Sequence, residues 1–230
     1  ELQSYFTSPM AYVVLVFFLL FTGLIFTFTI YTPQGWAEMR GILGAMVFLT
    51  LMVSPFITMS LLAQERASGT LELLLTKPVR DRDVVLGKYL GAVAVYLSML
   101  VLTLPCPILM DKYGDFDWGP ARVAYLGLLL SAAAFLAIGL FASSLTRSQM
   151  ASAGIGLGAL LFFWLIGWVA YVISKEGSIL GQVTKSISVF EIFGDFEKGL
   201  LDFKNIVYFA SLAVFFLFMT VRVLELRRQV

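Results

Sequence analysis

The chain has 230 residues, of which 60% are hydrophobic and 13% are charged, and its formal net charge is +1. A soluble domain carries about 25% charged residues, so this composition leaves too little polar surface for a water-facing globule. Histidine is absent and Cys106 is the only cysteine, which excludes from this chain a disulfide framework, a Cys/His metal site and a His-based catalytic triad. The small net charge argues against a nucleic-acid-binding protein. The composition therefore predicts an all-α polytopic membrane protein.

Uncharged apolar runs predict six membrane-spanning helices in a single transmembrane domain that occupies residues 1–230. A helix needs about 20 residues to cross the hydrocarbon core, and the first five runs are long enough. The sixth run is short, and we expect its helix to begin within Asp202–Asn205. Because residue 1 is Glu, we also expect further residues upstream. The predicted helices are 9–31, 41–63, 84–109, 122–145, 150–173 and 206–221.

The distribution of Lys and Arg predicts the orientation. Basic residues are concentrated in the 64–83 loop, at Arg147 and in the C-terminal tail, whereas the opposite connections are longer and carry more acidic residues. Cytoplasmic loops of membrane proteins are enriched in Lys and Arg. We therefore expect the 64–83 loop and both termini on the cytoplasmic side, and residues 174–205 outside.

Two features that the sequence lacks indicate where the energy for transport would come from. The middle of every predicted span lacks Asp, Glu, Lys and Arg, which argues against an ion-coupled transporter because coupling ions usually need such partners. The nearest approach to a phosphate-binding loop is Gly87-Lys88-Tyr89, which lacks the earlier glycine and the final Ser/Thr of that motif. We therefore predict that the chain is not an enzyme, with no catalytic, cofactor-binding or metal-binding residues. Energy for transport would enter through another subunit.

The loop after the second span contains a short amphipathic pattern over residues 68–76. Ser68 or Thr70 can cap a helix there, Pro78 ends it, and its leucines recur at i, i+3 and i+4. From the pattern alone two interpretations stay open: a helix lying in the lipid interface, and a helix that docks on a partner protein. The leucines of this face are Leu71, Leu74 and Leu75.

The same loop resembles that of ABC-2 type transporter permeases. The resemblance is carried by Glu65-Arg66-x-x-Gly69-Thr70-Leu71-Glu72, by Pro78-Val79-Arg80 and by Leu86-Gly87-Lys88. It continues at Ser4-Tyr5-Phe6-x-Ser8-Pro9, at Phe196-x-Lys198-Gly199-Leu200-Leu201-Asp202 and at Val223-Leu224-Glu225-x-Arg227-Arg228. These motifs are most similar to those of the gliding-motility and nitrous-oxide-reductase-maturation permeases. One departure is Val189, where the pattern leads us to expect proline.

The resemblance implies a type V exporter-like transmembrane domain whose 68–76 helix is a coupling helix seated on a separate ATP-binding protein. The leucines would supply apolar anchors, charged residues would form a rim around them, and Gly69 would allow close backbone approach. Arg147 is either a second contact or an ordinary positive-inside anchor. The predicted docking residues are Glu65, Arg66, Ser68, Gly69, Thr70, Leu71, Glu72, Leu74, Leu75 and Arg147.

Helices two and five carry the candidate pathway or dimer-seam residues. Pro55 should free a backbone carbonyl and kink the second helix, either for a gate or for packing. Gly154 and Gly158 form a G-x-x-x-G pair that allows close helix approach, within the chain or between two chains. In the resembled family these helices lie near the central axis, which implies a pathway or seam formed by Thr50, Ser54, Pro55, Thr58, Gly154 and Gly158. The resemblance also implies a re-entrant or interfacial helix within 174–205.

The leading hypothesis is a permease subunit of an ABC exporter in the bacterial cytoplasmic membrane. Two permease chains, identical or related, would form the pathway with two ATPase subunits, which would hold the ATP and Mg²⁺. Two hypotheses from other classes remain: a stand-alone secondary transporter or channel, and a membrane assembly scaffold that does not transport.

Overall fold

The computed structural model describes residues 9–31, 39–70, 80–114, 116–173 and 188–228. Over these residues the regular structure is helical, with no strand. The helices are α1 (Pro9–Ile30), α2 (Arg40–Thr58), α3 (Ala63–Ala67), α4 (Asp81–Thr103), α5 (Pro105–Tyr113), α6 (Trp118–Leu145), α7 (Gln149–Ile173), α8 (Val189–Glu197) and α9 (Phe203–Arg228).

Six of the described helical stretches are long and apolar enough to cross a membrane, which confirms the predicted six-span fold. Four of them are the single helices α1, α6, α7 and α9. The other two combine neighbouring helices, α2 with α3 and α4 with α5. The last span begins at Phe203, within the expected Asp202–Asn205, but α9 continues to Arg228, beyond the predicted end at residue 221. Asp202 Oδ1 accepts a hydrogen bond from the Lys204 amide at 3.0 Å. It thereby caps α9, because the first amides of a helix have no partner within the helix.

Helix α6 lies at the centre of the bundle, in contact with α2, α4, α7, α8 and α9. Its inward positions are mostly small, which lets its neighbours approach closely, and α2 is the other helix that is buried over most of its length. In contrast, α1, α7 and α9 expose most of their described apolar surface, as expected for helices that face lipid or another chain. Thus α2 and α6 form the core of this chain.

The third predicted span is not one continuous helix. Residues 84–109 were expected to form a single run, but the structure ends α4 at Thr103 and begins α5 at Pro105. The physical reason is that Pro105 and Pro107 have no N–H to donate to the preceding turn. The Leu104 amide instead donates to Val101 O at 3.2 Å, and Tyr125 OH from α6 lies 3.4 Å from Thr103 O.

Helix α8 lies within the bundle at the end opposite α3, against α2, α6 and α7. Ser188 Oγ caps it by accepting from the Glu191 amide at 3.3 Å, so no proline is needed at Val189. Phe193 and Phe196 are buried, and a Cβ added at Gly127 of α6 would lie 2.7 Å from Phe196 Cγ. The re-entrant or interfacial placement of this helix stays a prediction. We refer below to the α3 end and the α8 end of the bundle.

Candidate functional site

The chain turns sharply after α3. The φ of Gly69 is +72°, a left-handed conformation that favours glycine over residues with a Cβ. Ser68 Oγ lies 3.1 Å from Gln64 O and 2.8 Å from Thr70 Oγ1, and Thr70 Oγ1 donates to Glu65 O at 3.3 Å. These hydroxyls therefore close the C-terminal end of α3. Residues 71–76 of the predicted next helix lie outside the described residues, so its capping by Ser68 or Thr70 stays a prediction.

Four of the predicted docking residues lie outside the described residues, within 71–79. They are Leu71, Glu72, Leu74 and Leu75. The described part of the predicted docking surface consists of Glu65, Arg66, Ser68, Gly69 and Thr70, together with Arg147, which is exposed in the turn between α6 and α7. The docking role of all ten residues stays a prediction.

Ser143 of α6 holds the turn that connects α2 to α3. Its Oγ accepts hydrogen bonds from the amides of Leu62 and Ala63 at 3.1 and 3.0 Å, and it donates to Met59 O at 3.1 Å. One hydroxyl has one proton and two lone pairs, so all of its bonding capacity is used on this turn. Ser143 was not predicted from the sequence. A serine among apolar helix residues does not show which backbone groups its hydroxyl will bond in the folded chain.

Arg66 of α3 reaches the C-terminal end of α6. Its Nη1 donates to Ser144 O at 2.9 Å and to Thr146 O at 3.1 Å. The last carbonyls of a helix have no partner within the helix and carry the negative end of its dipole. The guanidinium therefore satisfies two backbone groups that α6 leaves open, and it ties α3 to α6.

Glu65 of α3 forms an ion pair with Lys88 of α4. Glu65 Oε1 lies 2.6 Å from Lys88 Nζ, and the Lys88 side chain is only 3% exposed, against 31% for Glu65. The second carboxylate oxygen, Oε2, is buried without a described hydrogen-bond partner. Burying an ammonium is costly unless it is paired and hydrogen-bonded. The pair lines a cavity of about 310 Å³ between α1, α2, α3 and α4.

The candidate pathway residues of α2 point into this chain. Thr50, Ser54 and Thr58 are each buried. Thr50 Oγ1 donates to Met46 O, so the 2.7 Å contact with Tyr96 OH of α4 has the phenol as donor. Ser54 Oγ donates at 3.2 Å to Leu51 O, the carbonyl that Pro55 leaves without its helical N–H. The Ser54 hydroxyl therefore supplies the hydrogen bond that Leu51 O would otherwise lack. The contact between Thr50 and Tyr96 holds α2 to α4.

Glycines of α7 point in two directions. Gly156 faces inward: a Cβ there would lie 3.3 Å from Pro55 Cβ and 3.7 Å from Gly139 Cα. Gly154 and Gly158 are exposed, and a Cβ on either would meet no described atom within 4 Å. The six candidate pathway residues are thus not brought together within one chain. Gly156, which sequence analysis missed, is the glycine that packs α7 against α2 and α6.

The α8 end contains a partly buried carboxylate. Glu197 lies beside Gly44 of α2, where an added Cβ would be 2.7 Å from Glu197 Oε1. Burial raises the pKa of Glu197, while the charges of Lys198 and Arg40 lower it by smaller amounts. Glu197, Arg40 and Asp117 line a cavity of about 340 Å³ at this end. Asp195, by contrast, accepts a hydrogen bond from Asn205 Nδ2 at 3.1 Å and holds α8 to α9.

In the described ranges no group of three or more acidic or Cys side chains could hold a metal ion, and the charged side chains of α3 are bound to neighbouring helices. The fold and site define a multi-pass membrane protein with a loop segment attached to its helical core at one end.

A family model, ABC-2 family transporter protein, matches residues 37–224. The match spans most of the chain, which therefore belongs to the ABC-2 family and is the membrane-spanning permease component of an ABC transporter. No curated protein matches this sequence.

Proposed function

We propose that this permease forms the pathway of an exporter, with two permease chains driven by two copies of a separate ATP-binding subunit. Membership of the ABC-2 family is the observation that carries the proposal. Within the family, the loop and tail motifs favour the gliding-motility and nitrous-oxide-reductase-maturation subgroup. The partner would bind ATP and Mg²⁺, and this chain would convert the partner's movement into opening of the pathway.

The α3 end is the proposed cytoplasmic face, in the bacterial cytoplasmic membrane, with both termini on that side. The basic residues of the 64–83 loop and Arg147 support this orientation through the positive-inside rule. Docking of the ATPase on the 68–76 segment is supported by its position directly after α3, which Ser143, Arg66 and Glu65 attach to α4 and α6. A force on the segment would therefore reach the bundle core.

Pairing of two chains is supported by the outward face of α7. Gly154 and Gly158 are open and exposed there, which allows the close approach of a second helix. Apolar side chains continue the same face, so the surface can be buried against another chain in the membrane. The exposed residues of this face are Ala151, Gly154, Ile155, Gly158, Phe162 and Leu165.

Leu74→Asp tests the docking role. A carboxylate in an apolar groove of the partner would be desolvated without a counter-charge, so we expect the variant to lose the ATPase subunit. The measurement is affinity purification of the tagged permease from native membranes, identification of the co-purified ATPase and assay of its ATP turnover in the reconstituted complex. At least a tenfold loss of bound ATPase is expected, roughly 1.4 kcal/mol of binding free energy.

Leu201→Asp is the matched control, because Leu201 is an exposed leucine at the α8 end. It should keep the complex and its ATP turnover unchanged. If Leu74→Asp also leaves both unchanged while the wild-type complex assembles, the docking role is refuted. If the purified wild-type chain carries no ATPase and transports under an ion gradient alone, the proposed function itself is wrong.

A further inference from the structure

We infer that Glu65 and Arg66 are positioning residues that join the ATPase-facing segment to two different transmembrane helices and so carry its movement into the bundle. The inference deepens the proposed function and rests on it. It separates these two residues from the docking rim that the family resemblance implies, and it leaves Leu71, Leu74 and Leu75 as the docking residues.

The first link joins α3 to α4 through Glu65 and Lys88. The Nζ–Oε1 distance is 2.6 Å, and the ammonium is almost completely removed from solvent. Separating the two groups would take this carboxylate away from a nearly buried cation, which is unfavourable. When α3 is displaced, movement of α4 with it costs less than opening the pair. Lys88 lies in the second turn of α4. A displacement of α3 would therefore act on α4 close to its cytoplasmic end.

The second link joins α3 to α6 through Arg66. Both hydrogen bonds of Nη1 go to backbone carbonyls, Ser144 O and Thr146 O, at the end of a helix that lies at the centre of the bundle. Contacts to backbone transmit displacement more directly than contacts to a flexible side chain, because the carbonyls move only with the helix. Ser143, one residue before Ser144, holds the preceding turn to the same helix.

The two links leave α3 in different directions. Consecutive residues in an α-helix are about 100° apart around its axis, so Glu65 and Arg66 can reach α4 and α6 at the same time. A short helix held on two sides cannot rotate away from either neighbour without breaking a charge-assisted bond. Movement of the segment after Gly69 is therefore passed to both helices together.

The same geometry argues against a rim role. Glu65 Oε1 and Arg66 Nη1 already bind groups of their own chain, so contact with an ATPase would have to compete with those bonds. Gln64 and Arg147 are exposed residues of the same region, and no side-chain hydrogen bond or ion pair is described for either. A positioning residue should affect coupling while leaving ATPase binding intact, and a rim residue should affect binding first.

The first test uses the purified permease alone, so it does not depend on the partner. Amide hydrogen exchange of residues 62–70 is measured in wild type, Glu65→Gln, Arg66→Gln and the control Gln64→Ala. We expect faster exchange in the Glu65 and Arg66 variants, by about tenfold or more, since each loses the charge that strengthens its bond between α3 and a neighbouring helix. Equal exchange in all four proteins would overturn the inference whatever the ATPase does.

The second test uses the complex with the co-purified ATPase. Glu65→Gln should keep the bound ATPase but reduce the permease-dependent part of ATP turnover by about tenfold, within the range typical of coupling between sites. Glu65→Lys and Lys88→Glu place like charges together and should be more severe, whereas the double variant restores the pair. Recovery in the double variant to within about threefold of wild type is expected from a pairwise link.

Three outcomes are distinguishable. Loss of bound ATPase in Glu65→Gln, with no recovery in the double variant, assigns Glu65 to the docking rim and overturns the inference. Intact binding and turnover in every variant also overturns it. If wild type retains no ATPase, the proposed function fails while the hydrogen-exchange result still decides whether α3 is held by these links.

Discussion

Gly139 of α6 shows how closely the two core helices approach. A Cβ added there would overlap Thr58 Oγ1 and lie 3.2 Å from Thr58 Cβ. Thr58 is fully buried, and its hydroxyl donates to Ser54 O at 3.0 Å. Packing and this hydrogen bond therefore hold the Thr58 side chain in place. At this point of the core a single methyl group decides whether α2 and α6 can pack.

Gly139→Ala should therefore lower thermal stability in detergent, by about 1–3 kcal/mol, as overpacking of a core typically does. Thr58→Ala in the same chain removes the overlapping hydroxyl and should recover most of the loss. The control is Gly23→Ala in α1, where an added Cβ meets no described atom within 4 Å. An unchanged melting temperature in Gly139→Ala would contradict the close α2–α6 contact.

At the residue scale, the sequence shows which types of residue are present but not which way they face in the folded chain. Pro55 was predicted to free a carbonyl, and the structure shows Ser54 Oγ bonded to that carbonyl, Leu51 O. The adjacent serine could have suggested this bond, because hydroxyls often replace a missing helical N–H. In contrast, no local signal distinguishes Gly156, which packs inward, from Gly154 and Gly158, which face outward.

At the scale of elements, α8 packs against its neighbours through buried aromatics, and its last residue, Glu197, is a partly buried carboxylate. Burial raises the pKa of Glu197 above its ordinary value, so the folded state holds its proton more tightly than the unfolded state does. Stability contributed by that proton is present below the unfolded pKa and is lost as the pH rises through the folded pKa. The charged groups that surround it are Arg40, Asp117 and Lys198.

Glu197→Gln removes the cost of ionising this group. The variant should melt at a higher temperature than wild type at about pH 8, and the difference should shrink towards zero at about pH 4, near the unperturbed pKa of Glu. The measurement is the difference in melting temperature between variant and wild type across this pH range. A difference that is constant with pH, or that favours wild type at alkaline pH, would contradict the assigned cause.

The breaks between elements were harder to predict than the elements themselves. Apolar runs show where helices are long enough to span, but a run does not show where its backbone bonding is interrupted. Pro105 divides the third span because it cannot donate a hydrogen bond, and its place at the start of α5 suits its fixed φ. The signal was present in the sequence as Pro105-Cys106-Pro107, whereas the contact of Tyr125 OH with Thr103 O at 3.4 Å was not.

At the scale of the whole molecule, the outward face of α7 is the surface on which the proposed pairing of chains depends. Gly158→Leu should leave the single chain folded, since an added Cβ meets no described atom within 4 Å. It should weaken the pairing several-fold, because GxxxG-type packing relies on close backbone approach. The measurement is the dimer fraction in lipid vesicles, by energy transfer between labelled chains.

Gly23→Leu serves as the matched control, because Gly23 also opens onto free space but lies on α1. It should leave the dimer fraction unchanged. If Gly158→Leu pairs as well as wild type, the seam lies elsewhere on the molecule. If both variants reduce pairing equally, the effect is a general one of helix bulk rather than of this face.

By itself the sequence determined the class of protein, the six spans and the loop that resembles a coupling segment. These properties depend on composition, on the length of apolar runs and on local motifs, all of which are one-dimensional. The tertiary structure alone decided what each polar side chain bonds to: Glu65 to Lys88, Arg66 to the end of α6, and Ser143 to the turn before α3. The physical reason is that hydrophobic burial is non-directional and can be read from the kind of residue. A hydrogen bond or ion pair, in contrast, depends on where two distant parts of the chain meet.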